Sequence, residues 1–199
     1  MSESIKKYIL SRHGYATMSE LKTAGFHTRK IREALEDETI AKIKPGLYKL
    51  RSYVRDKYES FVDIHMANPK AVICLTSALA YHDLTTNNPP KVTVAVPNNT
   101  DRFQLTEPPI EVFYFRKSVY DAGIEMVDRG YGRFSVYNKP KTVCDMFRYR
   151  NKLGDDLALE GLKGYLSKSD ANLNELRHYM SICSVRTIMT PYVKAIIAE

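Results

Sequence analysis

The stretch TMSELKTAGFHTRKIREALEDETIAKIKPGLYKL, residues 17–50, decides the reading of the N-terminal part of the chain. Thr17-Met18-Ser19-Glu20 has the form of a capping box, in which the Thr17 hydroxyl and the Glu20 carboxylate satisfy free N–H groups at a helix start. The helix it opens is short and ends at Ala24-Gly25, where glycine suits the left-handed position after a helix. A further helix follows over about 28–37. Ile31, Ala34 and Leu35 form its inward face, and Arg29, Lys30, Arg32 and Glu33 its outward one, with Thr28 near its start. Two helices joined by a short glycine-containing turn predict a helix-turn-helix, whose second helix enters the major groove. Then Ile40–Lys44 and Leu47–Leu50 alternate on either side of Pro45-Gly46, a good type II turn pair. They predict a hairpin with Lys42, Lys44, Lys49 and nearby Arg51 outward.

Upstream, Ile5, Tyr8 and Ile9 lie at helical spacing, with Ser2 or Ser4 as a cap and His13-Gly14 as the stop. Three helices followed by a basic hairpin predict a winged helix-turn-helix over residues 1–52. Long donors on its third helix reach phosphates and guanine edges. The competing reading is a helical subdomain whose basic groups are merely solvated.

Charge distribution favours an anionic partner for this segment. The 199 residues carry 30 Lys+Arg against 23 Asp+Glu, a net +7, with a pI near 9.2. Residues 1–55 hold 12 basic and 6 acidic side chains, while the rest of the chain holds 18 and 17. Such asymmetry is typical of nucleic-acid binding. With 44% apolar and 27% charged residues, the composition is that of a globular chain with a core rather than a disordered one. Apolar runs are too short for a membrane span, and the charged start of the chain is unlike a secretory signal. The three cysteines, Cys74, Cys144 and Cys183, are far apart, which argues against a disulfide framework or structural zinc and fits a reducing cytoplasm.

Residues 53–68 have the apolar pattern of a connecting amphipathic helix (Val54, Tyr58, Phe61, Val62, Ile64) that ends at Asn68-Pro69. Beyond it, strands are expected at 72–75, 91–96, 110–115, 124–127 and 133–137, with a short helix at 78–82 and a loop over 98–109. Three or four helices are expected, at about 139–151, 155–167, 172–181 and 185–198. Residues 69–199 thus form a mixed α+β domain that ends in helices. Lys141, Arg148 and Lys152 share a helical spacing with Arg150 nearby, and the stretch reads either as a second basic surface or as a solvated face on which Asp145 pairs with Arg148.

No catalytic constellation emerges. His13, His27, His65, His82 and His178 are scattered without metal-ligand spacing, and no phosphate-binding glycine loop or nucleophile elbow occurs. Cys144, beside Val143 and Phe147, reads as a buried thiol. The layout around 75–96 resembles the turn, helix and strand of nucleotidyltransferases. It lacks the glycine, and the strand carries no carboxylate for the metal ions such chemistry requires. Asp83, Glu111 and Asp128 are expected to be solvated or strand-edge acids. No catalytic, cofactor or metal residues are assigned.

Over nearly its whole length the sequence resembles the AbiEi-type antitoxin family of bacterial abortive-infection, type IV toxin–antitoxin systems. The resemblance rests on Gly14…Glu20-Leu21…Gly25, Lys44-Pro45-Gly46-Leu47-Tyr48, the run Thr76–Leu84 with Val94-Ala95-Val96-Pro97, and the run Lys141–Arg150. Asp83 departs from the pattern, which often has glycine after the histidine. The resemblance implies a winged-helix domain that binds inverted repeats in its own promoter and represses its operon. It also implies a C-terminal domain that counters a nucleotidyltransferase-like toxin, with no stable complex required. A bacterial cytoplasmic protein, monomeric in solution and cooperative on DNA, is the matching expectation.

Three function classes follow. The first is a non-enzymatic DNA-binding antitoxin, with base readout by Thr28, Arg29, Lys30 and Arg32 and phosphate contacts from Lys42, Lys44, Lys49 and Arg51. The second is a stand-alone winged-helix regulator whose C-terminal domain binds a ligand or partner. The third, an enzyme acting on nucleic acid, is disfavoured by the missing carboxylate pairs.

Overall fold

The structure is a computed structural model that describes residues 2–53 and 56–198. The chain divides into two compact units: Met1–Pro69 with Gln104–Pro109 and Asp128–Arg133, and Lys70–Phe103 with Ile110–Val127 and Phe134–Glu199. Both are mixtures of helix and strand, so the fold class is α+β.

The first unit begins with α1 (Ser2–Leu10), which buries Ile5 and Ile9. His13 and Gly14 both have positive φ, 57° and 85°. A Cβ at Gly14 would lie 2.1 Å from the Tyr53 ring, so this reversal requires glycine. The reversal allows β1 (Tyr15–Thr17), a strand too short to show in the sequence pattern. Next comes α2 (Met18–Thr23), with its capping box formed as expected: Thr17 Oγ1 accepts from Glu20 N at 3.2 Å and Glu20 Oε2 from Thr17 N at 2.7 Å. After Gly25 (φ 84°) the chain enters α3 (Thr28–Glu36). Then β2 (Ile40–Lys44) and β3 (Leu47–Leu50) form the hairpin around Gly46.

The three strands pair antiparallel in the order β1-β3-β2. Ala16, Ile40, Tyr48 and Leu50 pack with Ile5, Ile9, Leu21 and Ile31 in one core. The sheet's other face is also covered, by α4 (Glu59–Ala67), whose Asp63 bonds to Tyr15 and Lys49. Along the outer edge of β2, Thr106 N donates to Ile43 O at 2.8 Å. The sheet is therefore enclosed on both faces, not exposed on one.

Of the helix expected over 53–68, Glu59–Ala67 is helical. Val54 lies outside the described residues. Asp56 Oδ1 accepts from Tyr58 N at 2.8 Å, a local side-chain bond that competes with helix and delays its start.

The second unit holds a five-stranded mixed sheet of order β6-β5-β4-β8-β7: β4 (Val72–Ile73), β5 (Val92–Pro97), β6 (Ile110–Phe115), β7 (Ile124–Asp128) and β8 (Arg133–Tyr137). β4 is antiparallel to β5 and parallel to β8, and β5 is parallel to β6. The helices are α5 (Leu75–Tyr81), α6 (Lys117–Tyr120), α7 (Lys139–Leu153), α8 (Asp155–Leu166), α9 (Leu173–Ile182) and α10 (Arg186–Ile197). The expected strands and the four final helices are present within a few residues. The short α6 lacked a readable apolar period. Val143, Cys144 and Phe147 of α7 lie in the core with Leu79, Leu162, Leu176 and Met189. Among the described residues, no helix is long and apolar enough to cross a membrane.

Candidate nucleic-acid interface

Ile31 and Ala34 anchor α3 in the core, which turns Arg29 and Arg32 outward. Their side chains are 79% and 71% exposed. Each meets an acid one turn later: Arg29 Nε lies 3.1 Å from Glu33 Oε1 and Arg32 Nε 3.9 Å from Glu36 Oε1. Exposed pairs of this kind contribute only ~0.3–0.5 kcal/mol, so a stronger anion displaces the acids at small cost. Thr28 is exposed at the helix start and Lys30 half-buried. His27, the residue before α3, makes no side-chain cap bond, leaving helix N–H groups for an incoming acceptor.

The hairpin departs from the expected arrangement. Lys42 and Arg51 are exposed, as an outward position requires. The register shifts between Lys42 and Lys44, and Lys44 Nζ reaches Ala67 O at the end of α4, at 2.5 Å. This cation sits where the helix dipole is negative. Lys49 is withdrawn further. Its side chain is 15% exposed, with Nζ 2.6 Å from Glu59 Oε1 and 2.5 Å from Asp63 Oδ2. Asp63 Oδ1 also accepts from the Tyr15 hydroxyl at 2.6 Å. Lys44 and Lys49 thus serve the packing of α4 on the sheet, and neither ammonium projects outward. Simple alternation missed this because it assumed one solvent-facing side.

Burial sets the electrostatics of this cluster. It pushes Asp63 above the usual carboxylate range, against the opposing influence of Lys49 and Tyr15. Burial works against the Lys49 charge, yet the bonds and charges of Asp63 and Glu59 overcome it and raise its pKa. Tyr15 is held well above a normal phenol by burial and by the Asp63 carboxylate, so it remains a donor.

Lys141, Arg148, Arg150 and Lys152 do not share one surface. Lys141 is wholly buried and pairs with Asp145, also buried, at 2.5 Å. Its ammonium lies 4.0 Å from the centre of the Tyr137 ring. Asp145 therefore pairs with Lys141 rather than Arg148. The Arg148 guanidinium donates to Cys183 O at 3.0 Å. Arg150 pairs with Asp155 at 3.4 Å and Lys152 with Glu111 at 2.6 Å. A lysine enters this core because a carboxylate one turn on and an aromatic face receive its charge, and helical spacing alone does not disclose that.

Cys74, Cys144 and Cys183 are all buried, and burial pushes each thiol up, which disfavours the nucleophilic thiolate. Among the described residues, no three His, Cys, Asp or Glu side chains gather as a metal site. Asp83, Glu111 and Asp128 do not converge: Glu111 meets Lys152, and Asp128 accepts from Gly130 N at 2.7 Å.

A cleft in the first unit was not foreseen. It brings together Arg12, His65, Tyr131 and Arg133, residues so far apart in the chain that no local pattern joins them. No family model matches the chain, and no curated protein matches it.

Proposed function

We propose that this chain is a DNA-binding antitoxin that represses its own operon and counters a nucleotidyltransferase-like toxin, without catalytic activity of its own. The observation that carries the DNA-binding half is α3: a helix anchored by Ile31 and Ala34 that holds out Arg29 and Arg32, displaceably paired, beside a hairpin bearing Lys42. We read the order α1-β1-α2-α3-β2-β3 as a winged helix-turn-helix, with α3 as the reading helix. Thr28, Arg29, Lys30 and Arg32 then face base edges, and Lys42 and Arg51 contact phosphates. Lys44 and Lys49 drop out of the contact set, because both ammonium groups are committed inside the unit.

The antitoxin half rests on the family resemblance of the sequence. On that reading the protein acts in a bacterial cytoplasm, at an operator with inverted repeats, as a monomer that binds them cooperatively. Neutralisation falls to the second unit. The test is a pair of assays in one host. The chain should silence a reporter driven by the upstream DNA of its operon, and it should restore growth when the adjacent gene is induced. Silencing without rescue would favour a stand-alone regulator. Absence of both would overturn the proposal.

A further inference from the structure

The cleft in the first unit has a volume of about 510 Å³. The turn after α1 contributes Arg12, α4 contributes His65 and Met66, the turn after β7 contributes Tyr131, and Arg133 follows at the start of β8. That turn is firmly built. Arg129 N donates to Gly132 O at 2.8 Å, and the Arg129 guanidinium and Tyr131 hydroxyl both donate to the Asp56 carboxylate. A Cβ at Gly132 would lie 2.4 Å from Val62 Cγ1, so the turn packs directly on α4.

Asp56 is engaged with Arg129, Asp128 closes its own turn, and Glu20 bridges Arg12. None of these acids is paired with Arg133, whose charge instead bears on His65. His65 is 6% exposed, and its Nδ1 has no hydrogen-bond partner among the described residues. Burial, assisted by Arg133, lowers the His65 pKa, so its ring is held neutral and keeps one N–H to donate. The cleft therefore joins an arginine that has no carboxylate partner among the described residues to an incompletely bonded imidazole. Met66, Pro69 and the Tyr131 ring supply apolar surface beside them.

We propose that this cleft binds a small phosphate monoester with a flat apolar body, a nucleoside monophosphate in chemical class. The phosphate lies at Arg133 and Arg12, and the flat body lies on Met66, Pro69 and Tyr131. A guanidinium fork matches phosphate oxygens, and the cavity is within the size range of small-molecule sites. Asp128 and Glu20 flank the cations and repel a more highly charged triphosphate. The site is separate from α3 and does not rest on the DNA-binding reading.

Titration of the full chain with adenosine 5′-monophosphate, followed by calorimetry and by NMR of the Met66 methyl and His65 ring, tests this. Saturable binding at millimolar concentration or tighter should shift both resonances. Arg133→Ala should weaken it by about tenfold or more, while Arg29→Ala leaves it unchanged. Adenosine alone, inorganic phosphate alone and ATP should each bind more weakly. Absence of binding, or equal binding by Arg133→Ala, would overturn the site. Inorganic phosphate binding as tightly as the nucleotide would overturn the flat body. Binding of a 5′-phosphorylated oligonucleotide where the mononucleotide fails would overturn the small ligand.

Discussion

Lys49 lies against Asp63: its Nζ is 2.5 Å from Oδ2, and the same carboxylate accepts from Tyr15. Tyr15 and Lys49 are directly opposed in the β1–β3 register, so one side chain of α4 holds two strands together. Lys49→Ala would leave Asp63 buried without its cation and should destabilise the first unit by about 3 kcal/mol. Lys42→Ala, at an exposed position, should change stability by under about 0.5 kcal/mol. Denaturant unfolding of the two variants checks this. Equal, small effects would mean that the Lys49 cluster contributes little.

The same cluster fixes an alkaline dependence. Lys49 has a raised folded pKa, so its stabilising contribution is complete below its unfolded pKa and is lost as pH rises through the folded value. Tyr15 acts in the same direction. Stability of the first unit should fall as pH rises above about 10, where free lysine and tyrosine titrate. Hydrogen exchange of β1 and β3 amides, corrected for intrinsic rates, reads it. A flat opening free energy over that window in the unaltered chain, or a fall that Lys49→Met with Asp63→Asn leaves undiminished, would contradict it.

The capping box gives the opposite sign. Hydrogen bonds from the Thr17 backbone and hydroxyl hold Glu20 below its usual pKa, with Arg12 adding to them. Its contribution is present above pH 4.5 and is lost as pH falls through the folded value. Thr17→Ala should cost about 1 kcal/mol at neutral pH. Glu20→Gln should flatten the acid limb of an unfolding curve while keeping most of the neutral-pH stability.

In the second unit, Lys141→Ala should cost about 3–5 kcal/mol by leaving Asp145 buried and alone. Lys141→Met with Asp145→Leu should recover much of that, because an apolar pair of similar volume avoids burying both charges. A double-mutant cycle measures the coupling. Additive losses would show that the two charges do not depend on each other.

The parts of the fold that were legible in the sequence are those with local signals. Thr17 and Glu20 announce α2, Gly25 and Gly46 mark reversals, and the apolar periods after Lys139 mark four helices. The unreadable parts depend on contacts across the chain. β1 exists because Gly14 turns the chain toward β3, not because three residues have strand character. Lys44, Lys49 and Lys141 look like surface cations until α4 and the core of the second unit supply their acceptors. Arg29, Arg32, Lys42 and Arg51 are exposed as expected, because none of the described residues packs over them. The cleft at Arg133 has no sequence signature, since its walls come from α1, α4 and a turn far downstream.

The phosphate contacts proposed for Lys42 and Arg51 have a salt signature. Each alanine substitution should weaken binding to all DNA sequences alike and reduce the slope of log affinity against log salt by about one unit. Lys49→Ala, in conditions where it stays folded, should leave the slope unchanged. A Lys49 variant that lowers the slope as much as Lys42→Ala would return that residue to the interface.

The most direct measurement is the affinity of the full chain for the upstream DNA of its own operon relative to random competitor DNA, with and without Arg29→Ala and Arg32→Ala. Salt-sensitive binding that prefers the operon DNA by at least about a thousandfold is expected. Each arginine substitution should cost about 1–3 kcal/mol on that DNA and far less on random DNA. Equal affinity for both DNAs, or undiminished preference in the arginine variants, would contradict α3 as the reading helix.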